Sequence, residues 1–267
     1  MDNILLRNNV KVFGKGQPML FAHGFGCDQN MWRFLTPAFE NEYQVILFDY
    51  VGSGHSDVRA YNAEKYNDLT GYANDVLDII NALNLSEVIF VGHSVSCMIG
   101  LLAAINQPDR FAKMIFVGPS ARYLNEAPDY IGGFEEKDIR ELLDTMERNY
   151  IGWANYLAPA IMKNAERPEL STELTESFCS TDPVIARQFA EVTFLSDNRN
   201  DLSNLKVPAL ILQCTDDLIA PMEVGHYLNH QLPASTLKIM NATGHCPHMS
   251  APDETIFLIK DYLLNNQ

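Results

Sequence analysis

The chain has 267 residues, 47% of them hydrophobic and 20% charged, and its 34 acidic and 19 basic side chains leave a formal net charge of −15. A chain of this length can bury roughly three quarters of its unfolded surface, so it needs no disulfide or metal staple. Its acidity argues against nucleic acid, which is held by basic stripes, and no apolar run approaches the ~18 residues of a membrane span.

Residues 1–10 contain no basic cluster followed by an apolar stretch, so a signal peptide is not expected and a cytoplasmic location is. Short apolar, β-branched runs then alternate with helical patterns. Strands are expected at Val10–Phe13, Met19–Ala22, Val45–Phe48, Val88–Val91, Met114–Val117, Ala209–Gln213 and Thr236–Met240. Helices are expected at Gln29–Glu40, Leu69–Leu83, Val95–Asn106, Glu223–Gln231 and Glu254–Leu264, the last with Asp253 as its amino-terminal cap. Between Tyr123 and Asp197 the rhythm breaks. No strand pattern occurs there, and helical patterns fall at Glu135–Tyr150, Trp153–Met162, Leu170–Phe178 and Pro183–Leu195. The expectation is one α/β domain over residues 1–267, with a mainly parallel sheet covered on both faces. Its core comprises 1–122 and 198–267, and a helical cap is inserted at 123–197. The cap would roof a pocket at the strand ends, where open α/β sheets place their ligands.

The sharpest chemical signal is the run from Val88 to Gly100, where a buried strand ends, a helix begins near Val95, and Ser94 occupies the turn between them. That is the setting of a nucleophile elbow, whose strained turn projects the serine hydroxyl away from the backbone. The turn needs small residues two places before and after the serine. Gly92 meets the first requirement; Ser96 stands where glycine is usual, a small polar residue the elbow can tolerate. Serine attacks only when a base takes its proton and a third group orients that base. The expected order is serine, then an acid after a late strand, then histidine near the carboxyl end. His245, after Gly244, fits the base, while the acid falls on one of two neighbours, Asp216 or Asp217, with Asp217 favoured. An oxyanion needs two backbone donors. These are expected from Val95, directly after the nucleophile, and from Phe25 in the glycine-flanked His23-Gly24-Phe25-Gly26 loop. His23 reads as a packed loop histidine. The glycine-rich Asp49–Ser56 stretch lacks the Gly-Lys-Ser/Thr ending of a phosphate loop and reads as a supporting loop.

Five cysteines, at 27, 97, 179, 214 and 246, are widely spaced and form no Cys-x-x-Cys pair, so buried reduced thiols are expected. His245-Cys246-Pro247-His248 gathers potential ligands, but no second cluster completes a set of four. Neither metal nor cofactor is expected.

Longer stretches carry a likeness: Phe25–Gln29, Phe48–Asp57, Gly132–Glu136, Asn149–Trp153, Cys179–Pro183 and Gly244–Ser250. On these the chain resembles the α/β-hydrolase superfamily over essentially its whole length. Within it, the chain looks like the RsbQ-type bacterial hydrolases that serve energy-stress activation of a general stress sigma factor. The elbow Gly92–Ser96 is similar to that of the plant karrikin and strigolactone receptors, in which serine at the position of Ser96 is usual. The resemblance places the family acid on the aspartate four residues before Pro221, which is Asp217. It implies hydrolysis of a small apolar ester or lactone through Ser94, His245 and Asp217. It also implies a four-helix cap over a small apolar pocket, with Phe25, Phe134, Trp153, Phe189 and Phe194 as candidate lining. For the RsbQ type it further implies a PAS-domain phosphatase as protein partner. Residues 123–197 hold 15 acidic and 6 basic side chains, so most of the excess negative charge falls on the expected cap. That charge reads as a solvated helical face or as a docking surface for a protein.

Overall fold

A computed structural model describes residues 3–265. Among them, seven strands form one sheet in the order β1-β3-β2-β4-β5-β6-β7. They are β1 (Lys11–Gly14), β2 (Gln17–Ala22), β3 (Tyr43–Leu47), β4 (Val88–His93), β5 (Phe111–Val117), β6 (Ala209–Asp216) and β7 (Ser235–Thr243). Only β1 runs antiparallel, pairing with β3 at the sheet edge; every other pairing is parallel. The helices are α1 (Ile4–Arg7), α2 (Leu69–Ala82), α3 (Val95–Asn106), α4 (Glu136–Arg148), α5 (Tyr150–Met162), α6 (Pro168–Ser180), α7 (Pro183–Phe194), α8 (Met222–Gln231), α9 (Pro247–Ser250) and α10 (Pro252–Asn265). None is long and apolar enough to cross a membrane.

The two-residue period of a strand explains how both faces are filled. Along β2, Met19 and Phe21 join one core with Trp32, Phe39 and Tyr262, while Leu20 and Ala22 join a second with Tyr72, Met98 and Leu228. Helices α2, α3 and α8 therefore cover one face and α10 the other. Every residue of the central strand β4 is buried, as a parallel strand packed on both faces requires. Each large apolar side chain removed from water in this way contributes roughly 1.5–3 kcal/mol.

Two sequence expectations change. Gln29–Glu40 is not one helix but two short 3₁₀ turns, Gln29–Trp32 and Thr36–Ala38. Pro37 is the cause, since it has no N–H to continue the ladder and its ring collides with the preceding turn. Asp253 is not the cap of α10; the helix begins at Pro252, whose fixed φ suits a first helical position. Asp253 lies in the first turn, where its charge still complements the helix dipole.

Helices α4–α7, the four expected between residues 135 and 195, are inserted between β5 and β6. Each buries a stripe at helical spacing, such as Ile139, Leu143 and Met146 on α4 and Leu170, Leu174 and Phe178 on α6. Glu135 and Asp138 form a capping box at the start of α4, and Asp182 caps α7 by accepting from Val184 N at 2.9 Å. The two passages into and out of the insertion are clamped together. Arg122 and Asp197 share an isolated bridge and a hydrogen-bonded ion pair, and Asn198 N donates to Ala121 O at 2.8 Å. Arg199 extends the clamp to Asp197 (2.7 Å) and Glu126 (2.5 Å).

Candidate active site

Ser94 lies between the last residue of β4 and the first of α3, with φ 57° and ψ −125°. A non-glycine residue at positive φ stores roughly 1–3 kcal/mol and persists only where its surroundings hold it. Here Ser94 N donates to Val117 O at 2.9 Å. A Cβ on Gly92 would come within 2.9 Å of the Ser96 carbonyl oxygen and 2.8 Å of the Phe90 ring, so strand and helix can meet only over a glycine. Ser96 is more than a tolerated small residue. Its buried hydroxyl donates to His23 O in a short hydrogen bond and accepts from the Tyr50 hydroxyl at 3.0 Å. It ties the elbow to the loop after β2, and no glycine could do so.

Three side chains from the carboxyl ends of β4, β6 and β7 converge. Ser94 Oγ donates to His245 Nε2 at 2.7 Å, and His245 Nδ1 donates to Asp217 Oδ2 at 2.7 Å. Asp217 Oδ1 accepts from Ile219 N (2.8 Å) and Ala220 N (3.1 Å), which fixes the carboxylate. His245 is fixed at its backbone as well. Its N–H donates to Ile161 O at 2.9 Å, and its carbonyl accepts from His93 Nε2 at 2.8 Å. The neighbouring Asp216 points the other way, 60% exposed and paired with Lys163 at 2.5 Å. Of the two neighbouring aspartates, only Asp217 is hydrogen-bonded to His245.

Phe25 and Val95 occupy the positions expected of oxyanion donors. Val95 opens α3, where the first N–H groups have no intrahelical acceptor. Phe25 rides on a loop pressed against the elbow; a Cβ on Gly24 would lie 2.5 Å from the His93 ring and 3.4 Å from Ser94 Cβ. His23 is a packed loop histidine, its Nε2 accepting from Tyr50 N at 3.2 Å and its Nδ1 facing Gly24 O at 2.9 Å. Burial depresses its pKa, as it does those of His93 and His248, the last to about 3. Asp49 anchors the glycine-rich loop by accepting from Gln29 N and His55 N, both at 2.9 Å.

Over Ser94 and His245 lies a small cavity of about 30 Å³. Larger depressions, about 890 Å³ beside α7 and about 770 Å³ between α5 and α6, contain none of the three converging residues. Of the five expected lining residues, Phe25 and Phe194 reach the small cavity. Phe189 does not, because its ring stacks on Tyr72 at 4.3 Å. Trp153 and Phe134 also stand one layer back, packed edge-on against Phe25 and Phe194, and they line an outer groove between α4 and α5. Leu174 and Phe178 on α6, Thr193 on α7, Ile161 and Ile219 also line the small cavity, with Cys27, His93 and Cys246 on the sheet side. Tyr123 supplies its one phenol, 3.5 Å from Ser94 Oγ. The stripe Leu170-Leu174-Phe178 marks an inward face in the sequence, but nothing in the sequence singles out Tyr123 or Thr193. All five cysteines are free thiols, and four are buried; Cys179, on the outer side of α6, is exposed, contrary to expectation.

A strained serine at a parallel strand's end, with an acid and a histidine after later strands, defines a class. Residues 17–252 match the model of the α/β hydrolase fold family, and the chain belongs to that family. It is 38% identical over 251 residues to the karrikin insensitive 2 receptor CA of Petunia hybrida, covering 93% of each chain. It is 37% identical over 252 residues to the strigolactone esterase D14 of Arabidopsis thaliana, covering 94% of each. Among solved structures it superposes on a hydrolase from Oleispira antarctica with a TM-score of 0.97 and 45% identity, covering 99% of this chain and 97% of the other.

Proposed function

We propose that this chain is a serine hydrolase of small apolar esters or lactones. The observation that carries the reading is the hydrogen-bonded run Ser94–His245–Asp217, 2.7 Å at each link, opening into a small, largely apolar cavity. In this mechanism Ser94 Oγ attacks the carbonyl carbon while His245 Nε2 takes its proton, and Asp217 holds the imidazole tautomer and balances the imidazolium. The oxyanion is received by the N–H groups of Phe25 and Val95, each such donor contributing about 3–4 kcal/mol in well-studied hydrolases. The imidazolium returns its proton to the leaving alkoxide. Water, deprotonated by His245, then releases the acyl group from Ser94. The segment 123–197 serves as the cap. A cavity of about 30 Å³ holds little more than one or two waters, so a substrate enters only as the aromatic walls yield, and a small acyl group is favoured.

Two biological outputs fit this chemistry. One is an RsbQ-type role in stress signalling through a PAS-domain phosphatase, supported by the quoted sequence stretches and by the acidic cap as a docking face. The other is a slow-turnover ligand receptor, supported by the karrikin receptor relative and the small volume of the cavity. A plain carboxylesterase is the remaining alternative. Mass spectrometry of the protein after exposure to p-nitrophenyl acetate should find one acetyl group on Ser94, and Ser94→Ala should lose turnover by 10⁴-fold or more, on the order seen for triad serines. Wild-type turnover by Ser94→Ala would overturn the proposal.

A further inference from the structure

The ligand cluster that is incomplete in the sequence is extended by the fold. His93, the last residue of β4, lies beside Cys246 and beside His248 of α9, and one potential ligand atom from each sits within 4.8 Å of the others. All three side chains are buried. The His93 and His248 rings are 4.4 Å apart, with Trp32 closing the far side at 4.7 Å from His248.

These imidazoles lack the partners that buried polar groups ordinarily have. His93 Nε2–H is spent on the His245 carbonyl at 2.8 Å, so its Nδ1, which lies against Gly24, carries a lone pair with no hydrogen-bond partner. Neither ring nitrogen of His248 has one. Each orphaned group of this kind is costly to bury, so a ligand that satisfies them binds with that cost relieved. A histidine that donates one ring N–H to a backbone carbonyl and offers its other nitrogen is also the usual arrangement of a metal-bound imidazole.

We infer that His93, Cys246 and His248 form a site for a borderline-soft cation, of which Zn²⁺ is the representative. Two imidazoles and one sulfur suit such an ion and not the hard Mg²⁺ or Ca²⁺, which take oxygen. Three protein ligands leave one position open. Neighbouring ligands on tetrahedral zinc stand about 3.3–3.8 Å apart, so the cluster closes by about 1 Å on capture. The Cys246 thiol releases its proton to solvent as the sulfur–metal bond forms, and the ion gains a thiolate ligand. Entry is through the small cavity, which both His93 and Cys246 line. Because Cys246 directly follows His245, occupancy bears on the proposed base; that consequence rests on the proposed function, whereas the site itself does not.

The test is titration of the full chain with Co²⁺, carried in a Cys179→Ser background to remove the exposed thiol. One equivalent should bind, with a thiolate-to-cobalt charge-transfer band, and Zn²⁺ should displace it and raise the melting temperature. Cys246→Ser should abolish the band, and His248→Gln should weaken binding by at least 10-fold, with circular dichroism reporting that each is folded. Cys27→Ser should retain both band and stoichiometry. Absence of one-to-one binding and of any Zn²⁺-induced melting shift in the Cys179→Ser chain overturns the inference. So does a band that survives Cys246→Ser, or unchanged affinity in His248→Gln.

Discussion

The ends of β4, β6 and β7 face the helices α4–α7 across the small cavity, and the two sides are held by different physics. On the sheet side each of the proposed reacting groups is pinned by backbone hydrogen bonds. Val117 O fixes Ser94 N, Ile219 N and Ala220 N fix Asp217, and His93 fixes the His245 carbonyl. On the helical side the cavity meets apolar walls, Leu174, Phe178 and Phe194, while the outward faces carry exposed ion pairs such as Glu136–Arg140 and Lys137–Glu141. Exposed pairs of that kind contribute about 0.5 kcal/mol or less. Reaction geometry thus rests on directional bonds that tolerate little displacement, and access rests on packed rings that can shift by small rotations. Several links cross between the sides, among them the Lys163–Asp216 pair and Asn164 Nδ2 donating to Thr243 O at 3.1 Å. Ile161 O, near the end of α5, accepts from His245 N, so the insertion also braces the loop that carries the base.

The largest break in this comparison is expected from the two adjacent aspartates. Asp217→Asn removes the group that fixes the His245 tautomer, and ester turnover should fall on the order of 10⁴-fold. Asp216→Asn, whose exposed carboxyl pairs with Lys163 and not with His245, should change it less than about twofold. Steady-state hydrolysis of p-nitrophenyl acetate separates the two, and an equal loss in both would remove Asp217 from its assigned role.

On the helical side, Phe178→Ala opens the wall without touching the reacting groups. Its ring is buried against Phe25 and Trp153, so the fold should lose about 3–5 kcal/mol in urea unfolding. Relative activity on longer p-nitrophenyl acyl esters should rise by roughly 10-fold or more against acetate, the scale a few methylenes command in an apolar pocket. An unchanged chain-length profile would mean that the wall does not select. On the sheet side, Ser96→Ala deletes the tie to His23 O and leaves that carbonyl and the Tyr50 hydroxyl short of a partner. The expected cost is about 1–3 kcal/mol of stability, with the melting temperature as the readout.

How far these two sides were legible in the sequence differs for the same reason. Ser94 and His245 stand out because strand, turn and helix signals bracket them locally. The choice between Asp216 and Asp217 is not local, since it depends on the irregular end of β6 and on where His245 lands after β7. On the helices, periodicity identifies an apolar stripe but not what that stripe meets. Phe189 and Phe178 look alike in sequence, yet Phe189 is taken by Tyr72 of α2 and Phe178 is left to the cavity. Pro37 was readable as a helix breaker within Gln29–Glu40, where the apolar pattern alone misleads. Cys246 and His248 are neighbours in the sequence, but His93 reaches them only through the sheet order, so its place beside them has no sequence signature.

The smallest effect tests whether the two sides move as one body. Asp197 stands where the chain leaves the insertion. Desolvation pushes its carboxyl upward, but hydrogen bonds from Arg199 and Arg122 outweigh that and hold it down to about 2. A carboxyl depressed in the folded state adds stability above its unfolded value near 4, and that contribution is lost as pH falls through about 4 to 2. Because Asp197 is largely exposed, solvent screening limits the contribution to about 1 kcal/mol. Asp197→Asn should therefore be less stable than wild type by about that amount at pH 7, and the two should converge near pH 2 in urea unfolding. At pH 7 amide exchange should quicken in α4–α7 of the variant and stay unchanged in β4, because the clamp joins only the two passages of the insertion. Quickened exchange in β4 as well would mean that the helices and the sheet open together, and that the difference in their physics does not make them separate units.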